Sequence, residues 1–150
     1  MTGPLDQVSS WPVPHAAAAV LSPAGVLATA GDLRMRFPLA SVTKPLTALA
    51  ALIAVEEGAL GLDQLIADPV GGRHLIDAEL AELLPGASLR HVLAPASGLA
   101  PNRFNRGAAM GTRRIYSNIG YALIGELVAA ATGIAFADYL AEGVFAPLRM

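Results

Sequence analysis

The feature that most constrains the fold is an apolar segment bounded by a proline and a glycine in FPLASVTKPLTALAALIAVEEG, residues 37 to 58. Residues 41–57 are predicted to form a helix that Gly58 ends, because glycine readily adopts the left-handed conformation found after a helix. Pro45 lacks an N–H, so it fits only the first turn and fixes where the helix begins. Residues 46–55 are apolar almost all round, which predicts a buried helix.

Proline and glycine also divide the rest of the chain into short elements. Two apolar runs, residues 15–22 and 26–30, are joined by a Pro/Gly turn and predict a β-hairpin. Residues 95–112 are rich in Pro, Gly, Asn and Ser and predict an irregular loop. Apolar spacing and stop residues predict four further helices, over 75–84, from Ser88 to Pro95, over 119–132 and over 136–142, the last ending before Pro147. The order predicts an α+β fold, a hairpin followed by helices.

Length and charge narrow the class of protein. A chain of 150 residues favours one domain and can bury about 70% of its unfolded surface. Its 54% hydrophobic and 15% charged residues are typical of a folded, rather apolar protein and not of a disordered one. The net charge of -2 and the pI near 5.8 indicate no basic face for phosphates, so nucleic acid is not an expected partner.

The sequence also bears on the expected compartment. It contains no cysteine, which excludes disulfides and thiolate chemistry and fits a reducing environment. The first 15 residues carry no lysine or arginine, so a secretory signal is not expected. The longest strongly apolar segment, residues 46–55, is about half of the roughly 20 residues that a membrane-spanning helix needs. A cytoplasmic protein without a membrane span is therefore expected.

Lys44 is the only lysine in the chain, beside nine arginines, and it stands three residues after Ser41. At a helix start this spacing returns both side chains to one face, so a hydroxyl and an amine lie side by side. A serine becomes nucleophilic when a base takes its proton, and an amine in an apolar surround can lose its charge and act as that base. Arginine cannot act as such a base, because its guanidinium stays protonated in proteins. In the alternative, Ser41 caps the helix and Lys44 is solvated. That alternative does not explain why a cation occupies the first turn, where it opposes the helix dipole.

A second polar group occurs in IYSNIGYALIGEL, residues 115–127. If the backbone is extended across Tyr116, Ser117 and Asn118, the first and third side chains point to the same side. The phenol can share a proton with a nearby lysine, and the carboxamide can hold a substrate carbonyl or the lysine itself. The alternative is a tyrosine packed under a loop and an asparagine that caps the helix beginning at Ile119.

The two motifs and their surroundings resemble the N-terminal part of the β-lactamase-related serine hydrolases, which include class C β-lactamases, penicillin-binding D-Ala-D-Ala peptidases and related esterases. The resemblance rests on FPLASVTKPLTAL followed by EEGALGLD, and on LRHVLAPASGL, GTRRIYSNIGYALIGEL and TGIAFADYLAEGVFAPLRM. It implies a partial β-lactamase/transpeptidase-like fold, with an N-terminal β-hairpin, a mainly helical region and the C-terminal strands missing.

The resemblance also implies a role for each of four residues. Ser41 matches the acylated serine and Lys44 the lysine of S-x-x-K, while Tyr116 and Asn118 match the outer residues of Y-x-N. Ser41 would attack a lactam, amide or ester carbonyl, Lys44 and Tyr116 would manage its proton, and Asn118 would bind the substrate. The resemblance does not assign the base to Lys44 or to Tyr116, because the two would titrate as a coupled pair. The implied substrate is a small molecule or peptide with a carbonyl group, and no cofactor is implied.

Other polar residues in the matched region have structural interpretations. Ser97 matches a family loop usually written H-T-S-G, in which Pro95 and Ala96 replace the first two residues here. That loop is interpreted as structural. The three histidines stand apart with none of the short spacings that metal ligands show, so a metal site is not expected.

The family's third motif, K-T-G or H-x-G, is absent from this sequence. In the family it supplies an N–H to the oxyanion hole, and loss of one such donor lowers the rate about 10²- to 10³-fold. Residues 1–150 are therefore interpreted as the N-terminal portion of a serine hydrolase domain, with impaired activity. The alternative is a non-catalytic remnant or binding module that needs a second chain to complete its fold, with self-association through the incomplete sheet as one route.

Overall fold

A computed structural model describes residues 3–150 and divides the chain into two compact units, one up to Leu39 and one from Ala40 to Met150. The mixed α and β composition expected from the sequence is confirmed. That the chain is one domain stays a prediction.

The first unit is built around the predicted β-hairpin, which is confirmed. A 3-10 helix, Pro4–Ser10, precedes strands β1 (Ala17–Ser22) and β2 (Gly25–Gly31). The strands are antiparallel, with Ala17 opposite Gly31 and an irregularity in register between Val20 and Leu21. Most apolar side chains of the hairpin are exposed on both of its faces. Two strands alone cannot bury a hydrophobic face, so the hairpin adds little core of its own.

The second unit is helical. A 3-10 turn, Ala40–Val42, leads directly into the longest early helix. The α-helices are α1 (Thr43–Glu56), α2 (Ala78–Leu83), α3 (Leu89–Leu93), α4 (Asn118–Thr132), α5 (Phe136–Leu140) and α6 (Ala146–Leu148), with a π-helical turn, Ala141–Phe145, between the last two.

The core of this unit forms where α1 packs against α4. Helix α1 contributes small side chains and α4 larger ones, and their buried hydrophobic residues are Ala50, Ala51, Ala54, Leu123, Ile124, Leu127 and Val128. Alanines on one helix let the branched side chains of the other approach closely. The core therefore holds the start of α1 and the start of α4 at a defined separation.

The prediction that α1 is buried all round is wrong on one side. Leu49 is 40% exposed and Leu52 46% exposed, although Ala50 and Ala54 are fully buried. An apolar composition on every side does not reveal which side has a neighbour. Among the described residues, the Leu49 and Leu52 side of α1 remains uncovered.

Most predicted helix boundaries lie within two residues of the observed ones, and two differ by more. Helix α2 begins only at Ala78, because Asp77 caps it by accepting a hydrogen bond from the Leu80 N–H at 2.8 Å. The helix predicted to end before Pro147 instead continues through the π-helical turn to Leu148. The Ala146 N–H donates to the Ala141 carbonyl five residues back, the spacing of a π-helix, and Pro147 follows directly after this wide turn.

The loop predicted over residues 95–112 is irregular, and its backbone is tightly folded. Gly98 adopts a φ of 88°, and a Cβ at this position would lie 2.4 Å from the Ala108 carbonyl oxygen. The Gly107 N–H donates to the Gly98 carbonyl at 2.8 Å, and the Asn118 N–H donates to the Pro101 carbonyl at 2.8 Å. This loop is therefore anchored to the first residue of α4.

No single helix within residues 3–150 combines the length and hydropathy needed to cross a membrane. One pair, Asn118–Thr132 with Phe136–Leu148, meets both criteria only when joined across a bend of 92°.

A buried phenol links α5 to the end of α1. The Tyr139 hydroxyl on α5 donates to Glu57 Oε2, just after α1, at 2.7 Å. Tyr139 is 6% exposed. Burial, followed by the hydrogen bond to the Glu57 carboxylate, raises the pKa of Tyr139 to about 12. Both effects favour the neutral phenol in the folded protein.

The Tyr139 contact predicts a specific pH dependence of stability. Its pKa is higher folded than unfolded, so its contribution to the free energy of unfolding is intact below pH ~10 and is lost as pH rises toward ~12. Tyr139→Phe should lower the free energy of unfolding by about 1 kcal/mol near neutral pH and remove this alkaline component. Denaturant titrations at pH ~7, ~9 and ~11 measure both effects.

Tyr121→Phe is the matched control for that experiment, because its hydroxyl makes only a 3.4 Å contact with the Leu93 carbonyl oxygen. The control should keep the alkaline loss of stability. An unchanged alkaline slope in Tyr139→Phe would contradict the assignment.

Candidate active site

Ser41 lies in the 3-10 turn that opens the helical unit. The residue before it, Ala40, has a φ of 46°, in the left-handed region that non-glycine residues rarely adopt. Such a backbone costs about 1 kcal/mol or more and persists only where its surroundings hold it. The sharp turn presents Ser41, which is exposed, two residues before α1 begins.

Lys44 occupies the first turn of α1, three residues after Ser41. Its Nζ lies 3.3 Å from Ser41 Oγ, as the spacing predicts. Pro45 follows within the same turn, where its missing N–H breaks no helical hydrogen bond. The hydroxyl and the amine therefore project from one local segment.

Tyr116 and Asn118 flank the residue that caps α4. Ser117 has the extended φ and ψ of −129° and 113°, and its Oγ accepts from the Gly120 N–H at 3.0 Å. The same hydroxyl donates to the Ala100 carbonyl at 2.8 Å. The alternative in which Asn118 caps the helix and Tyr116 packs under a loop is wrong, because Ser117 is the cap and Tyr116 is 54% exposed.

These four residues form one hydrogen-bonded group. Lys44 Nζ donates to Tyr116 Oη at 2.6 Å and to Asn118 Oδ1 at 2.7 Å. The hydroxyls of Ser41 and Tyr116 hydrogen-bond directly to each other. The start of α1 and the start of α4 thus bring together side chains that lie more than 70 residues apart in the sequence.

The Lys44 ammonium dominates the local electrostatics. It lowers the pKa of Tyr116 below the ordinary tyrosine value, chiefly through its hydrogen bond to the phenol oxygen, and the Ser41 hydroxyl adds to the effect. The Nζ also lies 5.8 Å from the centre of the Tyr121 ring, within range of a cation–π interaction. Lowering the pKa of a phenol favours its phenolate form, and a phenolate beside a serine hydroxyl can take that hydroxyl's proton.

Two features of the site around these four residues were not predicted from the sequence. Asn102 Oδ1 accepts a hydrogen bond from Asn118 Nδ2 at 2.8 Å. Ala40 adopts its left-handed conformation with no glycine or asparagine to signal it. Asn102 lies in the irregular loop, where no periodicity or spacing relates a residue to its partner, so no sequence signal could have found the contact.

The remaining candidate polar residues have local partners. His74 Nδ1 lies 3.1 Å from the Ala67 carbonyl oxygen, and His91 Nδ1 lies 2.8 Å from Ser88 Oγ. Ser97 is buried and its Oγ accepts from the Leu99 N–H at 3.3 Å, a structural contact. Within residues 3–150 no three His, Cys, Asp or Glu side chains lie close enough together to hold a metal ion.

Comparisons with known proteins identify relatives of the chain. A family model described as Beta-lactamase matches residues 13–150. Penicillin-binding protein 4* of Bacillus subtilis (strain 168) is 27% identical over 140 residues, covering 76% of this chain and 29% of that protein. The crystal structure of a β-lactamase from Mycobacterium bovis is 49% identical, with a TM-score of 0.76, covering 97% of this chain and 48% of that one.

A more distant structure shares the fold. A D-stereospecific amidohydrolase from Streptomyces sp. has a TM-score of 0.74 at 19% identity, over 97% of this chain and 52% of that one. The chain thus spans about half the length of the two solved structures and less than a third of the Bacillus protein.

The contact between Lys44 and Tyr116 predicts a measurable pKa. We expect Lys44→Met to raise the pKa of Tyr116 toward the ordinary tyrosine value of about 10, because the ammonium is the largest cause of its depression. Lys44→Arg keeps the positive charge and should retain part of the depression. Titration of the tyrosine Cζ resonances by ¹³C NMR measures the Tyr116 pKa in the wild type and in the two Lys44 variants. Equal Tyr116 pKa values in the wild type and Lys44→Met would contradict the prediction.

Proposed function

Because the chain belongs to the β-lactamase family, we propose that it carries the acylation site of a serine hydrolase, in which Ser41 attacks a lactam, amide or ester carbonyl. The observation that carries the proposal is the hydrogen-bonded group of Ser41, Tyr116 and Lys44. A serine beside a proton acceptor, with that acceptor held by a third group, is the arrangement that nucleophilic catalysis requires.

Tyr116 is the proposed base. An ammonium has three N–H donors and no acceptor, and Lys44 Nζ has three oxygen neighbours within 3.3 Å, on Ser41, Tyr116 and Asn118. This environment suits a protonated Lys44, which cannot accept the serine proton. The phenolate form of Tyr116, stabilised by that cation, accepts a hydrogen bond from Ser41 and can take its proton.

The proposed reaction has two steps that conserve the proton. As the Ser41 oxygen bonds to the carbonyl carbon, its proton passes to Tyr116, which then protonates the leaving nitrogen or oxygen and regains its negative charge. Water attacks the resulting acyl-Ser41 ester, again losing a proton to Tyr116, and that proton returns to Ser41 as the ester breaks.

Asn118 is the proposed contact for the substrate. Its side-chain oxygen accepts from Lys44 and one of its N–H groups donates to Asn102. A carboxamide has a second N–H, and that donor can bind a carbonyl oxygen of the substrate. The proposed substrate is a small molecule or peptide with a lactam, amide or ester carbonyl.

A single acylation event is a more direct measurement of this proposal than turnover, because the first step alone attaches the acyl group to Ser41. The acyl group remains attached long enough to weigh when deacylation is slow.

The proposal predicts covalent labelling of Ser41. Incubation with a reactive β-lactam, and separately with an activated aryl ester, should raise the intact mass of the wild-type chain by one acyl group. Ser41→Ala should show no gain, because the attacking oxygen is gone, and Tyr116→Phe should be labelled at least about 100-fold more slowly, because general base catalysis is lost.

Ser10→Ala is the matched control, since its exposed hydroxyl contacts only the nearby Gln7 carbonyl. It should be labelled at the wild-type rate. Equal labelling of Ser41→Ala and wild type would refute the acylation proposal, as would the absence of labelling in a wild-type chain shown to be folded by circular dichroism and a cooperative melt.

A second candidate function is a module whose fold is completed by another chain, through self-association. Exposed apolar side chains favour it: Leu21, Val26 and Leu27 on the hairpin are 63–69% exposed, and Leu49 and Leu52 on α1 are 40–46% exposed. Within residues 3–150 the hairpin pairs with no third strand, so its outer edges offer backbone groups to a further strand.

Self-association predicts a concentration-dependent mass. Sedimentation velocity should show dimers or larger species in the wild type, and Leu27→Lys on β2 should shift them toward monomer, because a charge opposes burial of that face. Leu148→Lys is the matched control, since Leu148 is similarly exposed on α6, and it should leave the mass unchanged. A monomer at every concentration would contradict this candidate.

A further inference from the structure

A second asparagine lies behind the Tyr116 and Asn118 pair. Asn102 is in the irregular loop, and its Oδ1 accepts from Asn118 Nδ2 at 2.8 Å. No other residue outside the group of four makes a side-chain hydrogen bond to it among the described residues. The contact therefore extends the group by one residue.

The chemistry of a carboxamide gives this contact a consequence. The oxygen and nitrogen ends of an asparagine side chain have nearly the same shape but opposite hydrogen-bonding roles. Lys44 can only donate, so it requires the oxygen of Asn118. The Asn102 oxygen can only accept a hydrogen bond, so it requires the side-chain nitrogen of Asn118. Both contacts select the same orientation of Asn118.

Backbone hydrogen bonds of the two residues before Asn102 hold this part of the loop. The preceding residue, Pro101, accepts from the Asn118 N–H at 2.8 Å, and the Ala100 N–H donates to the Asn105 carbonyl at 2.9 Å. The Ala100 carbonyl in turn accepts from Ser117 Oγ, the capping hydroxyl of α4. The loop that carries Asn102 is thus tied to the same residues that position Tyr116 and Asn118.

We propose that Asn102 is a positioning residue that fixes the orientation of the Asn118 carboxamide, and through it the place of the Lys44 ammonium beside Tyr116. Without the Asn102 oxygen, only the contact with Lys44 opposes rotation of the carboxamide. A rotated carboxamide would turn its N–H groups toward an ammonium, and two donors cannot bond to each other. Lys44 would then lose one of its three oxygen neighbours and its fixed position.

Three variants separate the acceptor role of Asn102 from its size. Asn102→Ala removes the acceptor, whereas Asn102→Asp keeps an oxygen at the same distance from the backbone. Asn105→Ala is the matched control, because Asn105 is exposed in the same loop and its contacts there are made by its backbone. Melting temperatures of all three report whether the loop still folds.

The first readout is independent of activity. In a 15.4 kDa chain, ¹⁵N NMR can follow the Asn118 side-chain NH₂ group, and ¹³C NMR can follow the Tyr116 Cζ atom. Asn102→Ala should shift the Asn118 NH₂ resonances and raise the pKa of Tyr116, whose lowering comes from Lys44 and the Ser41 hydroxyl. Asn102→Asp should restore the Asn118 signal toward its wild-type position, and Asn105→Ala should leave both probes unchanged.

The second readout rests on the proposed acylation of Ser41. Asn102→Ala should lower the labelling rate about tenfold, the effect of one lost hydrogen bond of about 1.4 kcal/mol. It should also move the acid limb of the rate profile to higher pH. In an Asn118→Ala background, Asn102→Ala should leave the labelling rate almost unchanged, because there is no carboxamide at position 118 left to orient.

The outcomes distinguish the two proposals. If the wild type is not labelled but Asn102→Ala shifts the NMR probes, the positioning role stands and the acylation proposal fails. If the wild type is labelled and Asn102→Ala alters neither the NMR probes nor the rate, the positioning role is refuted. Equal rate losses from Asn102→Ala in the wild-type and Asn118→Ala backgrounds would also refute it, since a purely structural effect would not depend on Asn118.

Discussion

The site depends on one cation, Lys44, at the start of α1. Its ammonium bonds to the phenol oxygen of Tyr116 and the carboxamide oxygen of Asn118, both at the start of α4. A lysine at a helix N-terminus opposes the helix dipole, so its place is unfavourable unless other groups supply negative potential. The oxygen atoms of Tyr116 and Asn118 provide it. The arrangement that the dipole disfavours locally is therefore stabilised by contacts between distant segments.

The packing of α1 on α4 makes those contacts possible. The buried alanines of α1 admit the branched side chains of α4, which brings the two helix starts within the reach of a lysine side chain. Enlarging Ala50 or Ala51, both fully buried, would push the helices apart by overpacking. Because hydrogen bonds need donor and acceptor atoms about 3 Å apart and well aligned, the geometry of the site is sensitive to the core beneath it.

Much of this arrangement could be predicted from local rules. The spacing of Ser41 and Lys44 places them on one face, and the extended Ser117 places Tyr116 and Asn118 on one side. Both statements involve residues within three positions of each other. Turn and stop residues likewise predict the hairpin and the ends of α1 and α4.

What escaped prediction depends on contacts between distant residues. Nothing in the apolar pattern of α1 indicates that Leu49 and Leu52 lack a neighbour, since a pattern records what a helix can bury and not what is available to cover it. The contact of Asn102 with Asn118 arises from the path of an irregular loop, which has no period. The continuation of the last helix past Pro147 depends on a π-helical turn that residue preferences do not signal.

The exposure of the site bears on how the Tyr116 pKa is set. Tyr116 is 54% exposed, so water screens its interaction with the Lys44 ammonium. Removal of that water would strengthen the attraction between the two groups, but burial of the phenol would disfavour its charged form, and the two effects act on the Tyr116 pKa in opposite directions. The lowered pKa therefore depends on the hydrogen bonds from Lys44 and the Ser41 hydroxyl, and not on burial of the phenol.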